Sequence, residues 1–451
     1  MSIFFQRIIF LVVFANAFVI HAAESGGLLA EQVLIKNVRV WDGEANKVSA
    51  ITDVLIEKNL IKKYPATHGD AHSQAKTING SGSVLIPGLI EAHQHLAIVA
   101  NLMDIRNEYS WDYVAGAAAK RANDMLMRGF TSVRDVGGPV FGIKRLIDEG
   151  RITGPRIYPS GAFISQTSGH ADFRNRNDPN PSMFDERHFF DKYWTFIADG
   201  VDAVTIATRE NLRNGATQIK LMAGGGVTST YDPLDGIQYN RVELEAAVEA
   251  AENWRTYVTV HAYRPDSIKR ALDAGVKCIE HGLFIDESTI KTLKKKGAFL
   301  VPQAQLSNLP SSVIDALPLA SREKYYLAKS GNDNAFRLAA KHKVKVAFGT
   351  DLFGPEHVFQ QQNLEFGARL AYFTSLEILK QATVVNAELL ALSGTRNPYL
   401  EGALGVIKEG AYADLLLVNG DPTRDIKVLE DFDNNLLLIM KDGKVYKNLL
   451  D

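Results

Sequence analysis

The sequence predicts an α/β fold, a (β/α)8 TIM barrel flanked by a small β-sandwich that both ends of the chain build. Strand-like and helix-like segments alternate between residues 85 and 395, whereas residues 24–84 and 396–451 are rich in strands alone. Polar residues also follow several predicted barrel strands, where barrel enzymes place their active sites. The 451 residues are enough for one large domain and a smaller one.

Residues 1–23 have the layout of a secretory signal peptide. Arg7 is their only charged residue, an apolar run covers residues 8–20, and Ala22 and Ala23 follow. The run is short for a membrane span, and an uncleaved anchor is the alternative. We therefore expect a periplasmic or secreted protein that has no stable membrane association after cleavage at Ala22 or Ala23.

Composition and charge exclude several functions. The net charge is -2 and no basic stripe is visible, so we expect no nucleic-acid partner. The longest basic run, residues 294–296, precedes Gly297 and is typical of a solvated helix end. Cys278 is the only cysteine, which excludes an intramolecular disulfide and a cysteine-based zinc site. A small-molecule substrate and a homo-oligomer are the expected partners.

The terminal segments contain matching sets of short strands. Residues 33–35, 38–40 and 50–56 are strand-like, and turn residues such as Asn37 separate them. Residues 413–418 and 436–440 are also strand-like, and Asp442-Gly443 predicts a hairpin into residues 444–446. The simplest architecture joins both ends in one sandwich, because two separate mini-domains would each be short for a core of their own.

The central segment repeats a strand followed by a helix. The first strand begins with the apolar run 84–86, which Pro87-Gly88 punctuates, and ends at His93-x-His95. The later predicted strands are 131–135, 157–161, 218–222, 258–261, 277–281, 298–302 and 344–351, with helices at 111–127, 203–214, 241–254, 267–274 and 322–341. Eight units in about 300 residues match a barrel. A doubly wound sheet is the alternative, but no Gly-x-Gly-x-x-Gly follows a first strand.

Two histidines with one residue between them end the first barrel strand. Residues i and i+2 of a strand point to the same side, so His93 and His95 converge on one point. Two neutral imidazoles aimed together suit a divalent metal such as zinc. The pair alone is a weak signal, since a polar pair at a strand end looks the same.

Further polar residues fall at or within later strands. Lys220 lies in strand four, and His261, His281 and Asp351 end strands five, six and eight. Singly, each has an ordinary interpretation: a hydrogen-bonded core histidine, a helix-capping aspartate, or a lysine that extends to solvent. Their joint position at strand ends predicts a metal site at the barrel mouth.

These residues resemble the ligand set of the amidohydrolase superfamily. The resemblance covers essentially the whole mature chain and rests on the context 87–95 and on Phe348-Gly349-Thr350-Asp351. Within the superfamily the chain is most similar to the imidazolonepropionase-like group, which includes Xaa-Pro dipeptidases (prolidases) and related carboxypeptidases. Residues 218–220 followed by Gly224-Gly225-Gly226, and the segment 165–170, support this placement.

The resemblance implies two divalent ions, usually zinc, bridged by a carbamate on Lys220. One ion would be bound by His93, His95, Lys220 and Asp351, and the other by Lys220, His261 and His281. A strand lysine with a depressed pKa is itself nucleophilic toward carbon dioxide. Asp351 would act as general base and then general acid around a metal-bridged hydroxide, and His170 would help to polarise the scissile carbonyl.

The substrate is less closely specified. Tyr231 is a candidate donor to a substrate carboxylate, and Arg264 offers a cation at the mouth where relatives often have a small residue. Residues 303–318 contain one acidic residue, Asp315, which favours Xaa-Pro or neutral N-acyl substrates over Xaa-Arg or Xaa-Lys. The alternatives are a mononuclear cyclic-amide hydrolase or deaminase, an aryl-amide or lactone hydrolase, and a non-catalytic scaffold. Deaminases of this kind usually have a glutamate three residues after the strand-five histidine, where Arg264 stands here.

Overall fold

A computed structural model describes residues 31–180 and 188–450. The predicted signal peptide, residues 1–23, lies outside the described residues. The strands are β1 (Gln32–Val40), β2 (Ile51–Glu57), β3 (Leu60–Ala66), β4 (Lys76–Asn79), β5 (Val84–Pro87), β6 (Leu89–Gln94), β7 (Phe130–Asp135), β8 (Arg156–Pro159), β9 (Phe163–Ser165), β10 (Thr195–Ile197), β11 (Ile219–Met222), β12 (Val258–Ala262), β13 (Cys278–His281), β14 (Phe299–Val301), β15 (Lys345–Val346), β16 (Leu415–Val418), β17 (Leu436–Lys441) and β18 (Lys444–Asn448). The α-helices are α1 (Leu102–Asn107), α2 (Trp111–Met127), α3 (Phe141–Asp148), α4 (Phe189–Tyr193), α5 (Gly200–Arg213), α6 (Arg241–Asn253), α7 (Pro265–Asp273), α8 (Glu287–Lys296), α9 (Ser311–Asp315), α10 (Leu319–His342), α11 (Glu356–Phe359), α12 (Leu364–Ala368), α13 (Ser375–Lys380), α14 (Asn386–Ala391) and α15 (Phe432–Asn435).

Both ends of the chain join in one eight-stranded sheet. Its order is β18-β17-β16-β5-β1-β2-β3, and β4 pairs with β1 in parallel. Val33, Ile35, Leu415 and Leu417 pack in its core, because alternate residues of a strand point to the same face. The predicted fold class, a barrel flanked by a domain that both termini build, is confirmed.

The strand β5 belongs to this terminal sheet. It pairs in parallel with β1 and antiparallel with β16, so the apolar run 84–86 does not continue into the barrel. The first barrel strand is β6, which begins at Leu89 after Gly88. Gly88 allows the chain to pass close to β7 at this point, since a Cβ there would lie 2.2 Å from Thr131 Oγ1.

Asn37 does not separate two strands as predicted from its turn propensity. It lies inside the single strand β1, where the pairing register with β2 shifts between Ile35 and Val38. Its φ is 59°, and its backbone N–H donates to Asp53 Oδ1. The residue therefore forms a β-bulge, in which one unpaired residue adopts the left-handed conformation that asparagine tolerates.

The barrel is closed by backbone hydrogen bonds between two parallel sheets, β6-β7-β8 and β10-β9-β11-β12-β13-β14-β15. At one junction Thr217 N–H donates to Pro159 O at 2.8 Å, and at the other Ala92 N–H donates to Phe348 O at 2.9 Å. The eighth strand is much shorter than the predicted 344–351. Only β15 is a regular strand, and residues 347–351 continue as irregular backbone against β6.

The helices cover the outside of the barrel. The helix α2 coincides with the predicted helix, and its buried residues Val114, Ala118, Ala122 and Met125 recur at the spacing of one helix face. The carboxyl ends of the barrel strands therefore meet at one open mouth. Within residues 31–180 and 188–450, no helix has the length and apolar content that crossing a bilayer requires.

Candidate metal centre

Four histidines from three barrel strands meet at the mouth. His93 and His281 have ring centroids 5.0 Å apart, His93 and His95 5.3 Å, and His261 and His281 4.6 Å. All four rings are buried. Ligand atoms of His93, His281 and Asp351 all lie within 4.8 Å of one another, a spacing that suits shared coordination of an ion.

Asp351 lies among these rings. Its Oδ1 is 3.3 Å from His93 Nε2 and 3.4 Å from His95 Nε2, and its Oδ2 is 3.9 Å from His281 Nδ1. His93 Nε2 and Asp351 Oδ1 are buried and have no hydrogen-bond partner among the described residues. Buried polar atoms are costly when unsatisfied, and imidazole nitrogen with carboxylate oxygen is a donor set for zinc. The residues present therefore fit a divalent ion.

In each of the four imidazoles, one ring nitrogen makes a hydrogen bond with an acceptor outside the cluster. The pairs are His93 Nδ1 with Glu280 Oε2 at 2.7 Å, His95 Nδ1 with Gly137 O at 2.9 Å, His261 Nε2 with Gly225 O at 3.0 Å, and His281 Nδ1 with Gln303 Oε1 at 2.7 Å. An acceptor on one nitrogen places the hydrogen there and leaves the lone pair on the other. This is the arrangement that orients histidines as metal ligands.

Lys220 lies in the barrel interior with the cluster. It is 1% exposed and pairs in register with Thr259, whose hydroxyl donates to the carboxylate of Glu280. Burial lowers the pKa of Lys220, although the carboxylates of Glu280 and Asp351 oppose the shift. A buried amine with a lowered pKa favours the neutral form, which is the nucleophilic one.

Burial and mutual repulsion keep most of the cluster's histidines neutral. Burial above all, and then the neighbouring imidazoles and Lys220, lower the pKa of His281 to about 3 and that of His261 well below its usual range. Burial also lowers the pKa of His95. His93 differs, because the carboxylates of Asp351 and Glu280 outweigh burial and raise its pKa. Neutral imidazoles are the form that binds metal.

Two members of the cluster have left-handed backbone conformations. The φ of His281 is 69° and that of Asp351 is 52°. Such angles are uncommon outside glycine and cost of order 1–3 kcal/mol each. His281 is the last residue of β13, and Asp351 ends the irregular segment 347–351 that follows β15, yet both side chains point into the same cluster. Strain of this kind concentrates at functional sites.

His170 joins the cluster from the loop after β9. Its ring stacks on His261 with centroids 4.1 Å apart, and its Nδ1 lies 2.7 Å from Ser229 Oγ. Asp232 Oδ2 is 3.4 Å from the same nitrogen. The ring also packs directly against Gly226, because a Cβ there would be 2.0 Å from His170 Cε1. The glycine at this position therefore makes room for the imidazole.

The two predicted substrate-binding residues, Tyr231 and Arg264, are more exposed than the buried histidines of the cluster. Tyr231 is 38% exposed, and the Arg176 guanidinium lies 5.2 Å from the centre of its ring. Arg264 is at the surface, where its Nε lies 3.2 Å from Asp266 Oδ1. Their roles toward a substrate stay predictions.

The sequence analysis missed the residues that hold the histidines. Glu280 and Arg134 are fully buried, and Asp232 Oδ2 lies 3.4 Å from His170 Nδ1. A signal was present for the first two, since each is a charged residue directly after an apolar residue within a predicted barrel strand. The carbonyl of Gly137 left no such signal, because any residue type presents a backbone oxygen.

Comparison with known proteins shows similarity over nearly the whole chain. The family model described as "Amidohydrolase family" matches residues 84–446. Ochratoxinase of Aspergillus niger is 30% identical over 431 residues, which covers 90% of this chain and 84% of ochratoxinase. A crystal structure of a prolidase complexed with N-methylphosphonate-L-proline superposes with a TM-score of 0.84 and is 33% identical, covering 92% of this chain and 100% of the prolidase. A Xaa-Pro dipeptidase with bound methionine in its active site gives a TM-score of 0.81 at 28% identity, covering 93% and 100%.

Proposed function

The chain belongs to the amidohydrolase family, in its prolidase-like group, and from this premise we propose that it is a binuclear metal-dependent hydrolase of amide bonds. The preferred substrates are dipeptides or N-acyl amino acids, with Xaa-Pro-like substrates first. One observation carries the proposal: each of four clustered imidazoles has one nitrogen held by an outside acceptor, around the carboxylate of Asp351.

The donor set indicates which residues hold the ions. His93, His95 and Asp351 would bind one zinc ion, His261 and His281 the other, and a carbamate on Lys220 would bridge them. When bound, the two ions would supply an activated water and polarise the scissile carbonyl. The neutral state of His281 and His261 supports ligation, because a protonated imidazole has no lone pair for a metal.

Asp351 is the general base and then the general acid. Although burial opposes the shift, the neighbouring imidazoles, His93 first, hold the pKa of Asp351 well below its usual range, so the carboxylate is ionised. Its position among three imidazoles places it at the centre of the reacting region. After accepting the proton of the attacking water, Asp351 would deliver it to the leaving amine.

His170 is the hydrogen-bond donor to the substrate carbonyl oxygen. Its Nδ1 lies 2.7 Å from Ser229 Oγ and 3.4 Å from the buried carboxylate of Asp232, and these two partners hold the ring in place. Asp232 is itself held by the Gly226 N–H at 2.9 Å. A donor oriented before the reaction stabilises the developing oxyanion without reorganisation.

The segment after β14 supports a neutral substrate side chain. The carboxylate of Glu365 accepts from the backbone N–H of Ala304 and of Gln305, and its Oε1 is 2.6 Å from Arg369 Nε. Gln303 is engaged with His281. Because this carboxylate is already paired, it offers no charge for a cationic side chain, which favours Xaa-Pro over Xaa-Arg or Xaa-Lys substrates. Similarity to the prolidase and the Xaa-Pro dipeptidase supports the same choice.

We also propose that the enzyme is exported and assembles as a homo-oligomer. The pattern of residues 1–23 supports export, and peptide or amide breakdown outside the cytoplasm is the function that this location suits. Amino-terminal sequencing of the mature protein tests the first proposal, with a start after Ala22 or Ala23 expected. Light scattering tests the second, and a monomeric mass would contradict it.

One assay panel tests the activity. The mature chain, loaded with zinc in the presence of bicarbonate, is incubated with Xaa-Pro dipeptides, Xaa-Arg dipeptides, N-acyl amino acids and aminopurines. Amide cleavage, fastest for Xaa-Pro substrates, is expected. Release of ammonia from the aminopurines without amide cleavage would instead identify a deaminase. An absence of turnover across a broad amide panel, despite bound metal, would favour the non-catalytic scaffold.

A further inference from the structure

An ion pair lies inside the barrel beside the histidine cluster. Arg134 Nη2 on β7 is 2.6 Å from Glu280 Oε1 on β13, and both side chains are 0% exposed. A buried pair is a weak source of stability, because the cost of removing two charges from water offsets their attraction. The contacts of each residue indicate what else the pair does.

Glu280 determines which nitrogen of His93 carries the hydrogen. Its Oε2 accepts from His93 Nδ1 at 2.7 Å, while its Oε1 accepts from Arg134 and from the Thr259 hydroxyl. An ionised carboxylate is an acceptor only, so the hydrogen must lie on His93 Nδ1. The lone pair is then on Nε2, the atom that faces Asp351 and has no hydrogen-bond partner among the described residues.

Arg134 holds the strand that carries His93. Its Nε donates to Ala92 O at 2.6 Å, directly before His93 in β6, and its Nη1 donates to Tyr257 OH at 3.3 Å. The Arg134 side chain on β7 therefore contacts two other strands: the backbone of β6 at Ala92 and the side chain of Glu280 on β13. The planar guanidinium supplies several donors in a rigid arrangement, which a lysine does not.

We propose that Arg134 and Glu280 are positioning residues that hold His93 in the tautomer and ring orientation of a metal ligand. This inference rests on the proposed function, since it requires the divalent-ion centre. Both side chains are 0% exposed and lie outside the proposed set of metal ligands. Outer partners of this kind typically change metal affinity by about 10- to 100-fold.

The test compares two buried pairs of the same chain. In Glu280→Gln/Arg134→Met both charges are removed together, because Glu280→Gln alone would leave the arginine buried without a counter-charge. The control is Arg156→Met/Asp414→Asn, which removes the pair that joins β8 to the segment before β16, with side chains 2% and 6% exposed. Chelator competition measures the zinc affinity of the metal-free proteins. Visible absorption of the cobalt-loaded proteins reports the geometry of the metal site.

The site variant is expected to bind zinc about 10- to 100-fold more weakly and to show an altered cobalt spectrum. The control is expected to lose stability but to keep both metal properties. Unchanged affinity and spectrum in the site variant, or an equal loss in both variants, would overturn the inference. If the wild-type chain itself binds no divalent ion, the proposed function fails. If the wild type binds zinc but the site variant binds it equally well, only the positioning role fails.

A milder variant covers the case in which the double variant does not fold. Arg134→Lys keeps the buried positive charge and loses the arrangement of donors to Ala92 and Tyr257. We expect a smaller loss of zinc affinity in the same direction. Wild-type affinity in a folded Arg134→Lys protein would contradict the positioning role of the arginine.

Discussion

The Oδ1 atom of Asp351 lies 3.3 Å from His93 Nε2, yet neither atom makes a hydrogen bond with the described residues. The two residues belong to neighbouring segments, because the Asp351 N–H donates to His93 O at 2.9 Å where the barrel closes. A carboxylate oxygen and an imidazole nitrogen that face each other unsatisfied are both ready to bind a cation. Barrel closure therefore creates the centre of the candidate site.

Replacing the central carboxylate tests its role as base. Asp351→Asn keeps the shape, and asparagine tolerates the φ of 52° at this position. We expect kcat to fall by about 10²- to 10⁴-fold, because the proton acceptor is lost. Activity is measured on an Xaa-Pro substrate alongside metal content. The same change at the exposed Asp266 is the control, and unchanged turnover in Asp351→Asn would exclude the aspartate as general base.

Replacing the interior lysine tests the proposed bridge between two ions. In Lys220→Met the buried side chain keeps its approximate length but cannot form a carbamate. We expect both ions and all measurable activity to be lost, since one bridging oxygen ligand of each ion disappears. Elemental analysis gives the metal content, and carbon-13 NMR after growth with labelled bicarbonate detects a carbamate in the wild type. Full turnover by the Lys220→Met variant would contradict the proposed carbamate.

The glycine run offers a test of His170 that leaves its side chain unchanged. In Gly226→Ala the new Cβ would lie 2.0 Å from the imidazole and must displace it. We expect kcat to fall by about 10²- to 10³-fold, the cost of losing one oxyanion donor, with metal content unchanged. Gly224→Ala is the matched control, because its Cβ meets no described atom closer than 3.5 Å. If both variants keep wild-type kcat, His170 does not act on the substrate.

Stability of the metal-free protein is expected to fall on acidification. The pKa of His281 is lowered to about 3 by burial and by the nearby charge of His93, whereas an unfolded histidine titrates near its ordinary value of 6.5. Between pH 6.5 and 3 the unfolded chain therefore binds a proton that the folded chain does not, and acid favours unfolding. This single group contributes a slope of at most about 1.4 kcal/mol per pH unit.

Urea unfolding of the chelated protein at pH 7 and pH 5 measures this dependence. We expect His281→Gln to lose less stability than the wild type between the two values, because the variant has no titrating group at this position. The control is His342→Gln, at a half-buried imidazole beside Glu287. An identical pH dependence in the wild type and His281→Gln would show that the buried imidazole is not neutral in the folded state.

The sequence by itself determined the fold class and the candidate metal ligands. Apolar periodicity located the barrel strands and helix α2, since burying a face imposes a repeat on the chain. The same patterns placed His93, His261 and His281 at strand ends, and parallel strands bring their carboxyl ends together. Asp351, predicted to end the eighth strand, follows irregular backbone after β15 instead.

Only the tertiary structure decided how those side chains are held and where the strands belong. From its sequence, β5 is predicted as part of the first barrel strand, but it pairs with β1 and β16 of the terminal sheet. An apolar run does not specify which strands it will pair with. The carbonyl of Gly137 and the Glu280–Arg134 pair orient the imidazoles from other strands. Such contacts join residues that are far apart in the sequence, so no local sequence pattern predicts them.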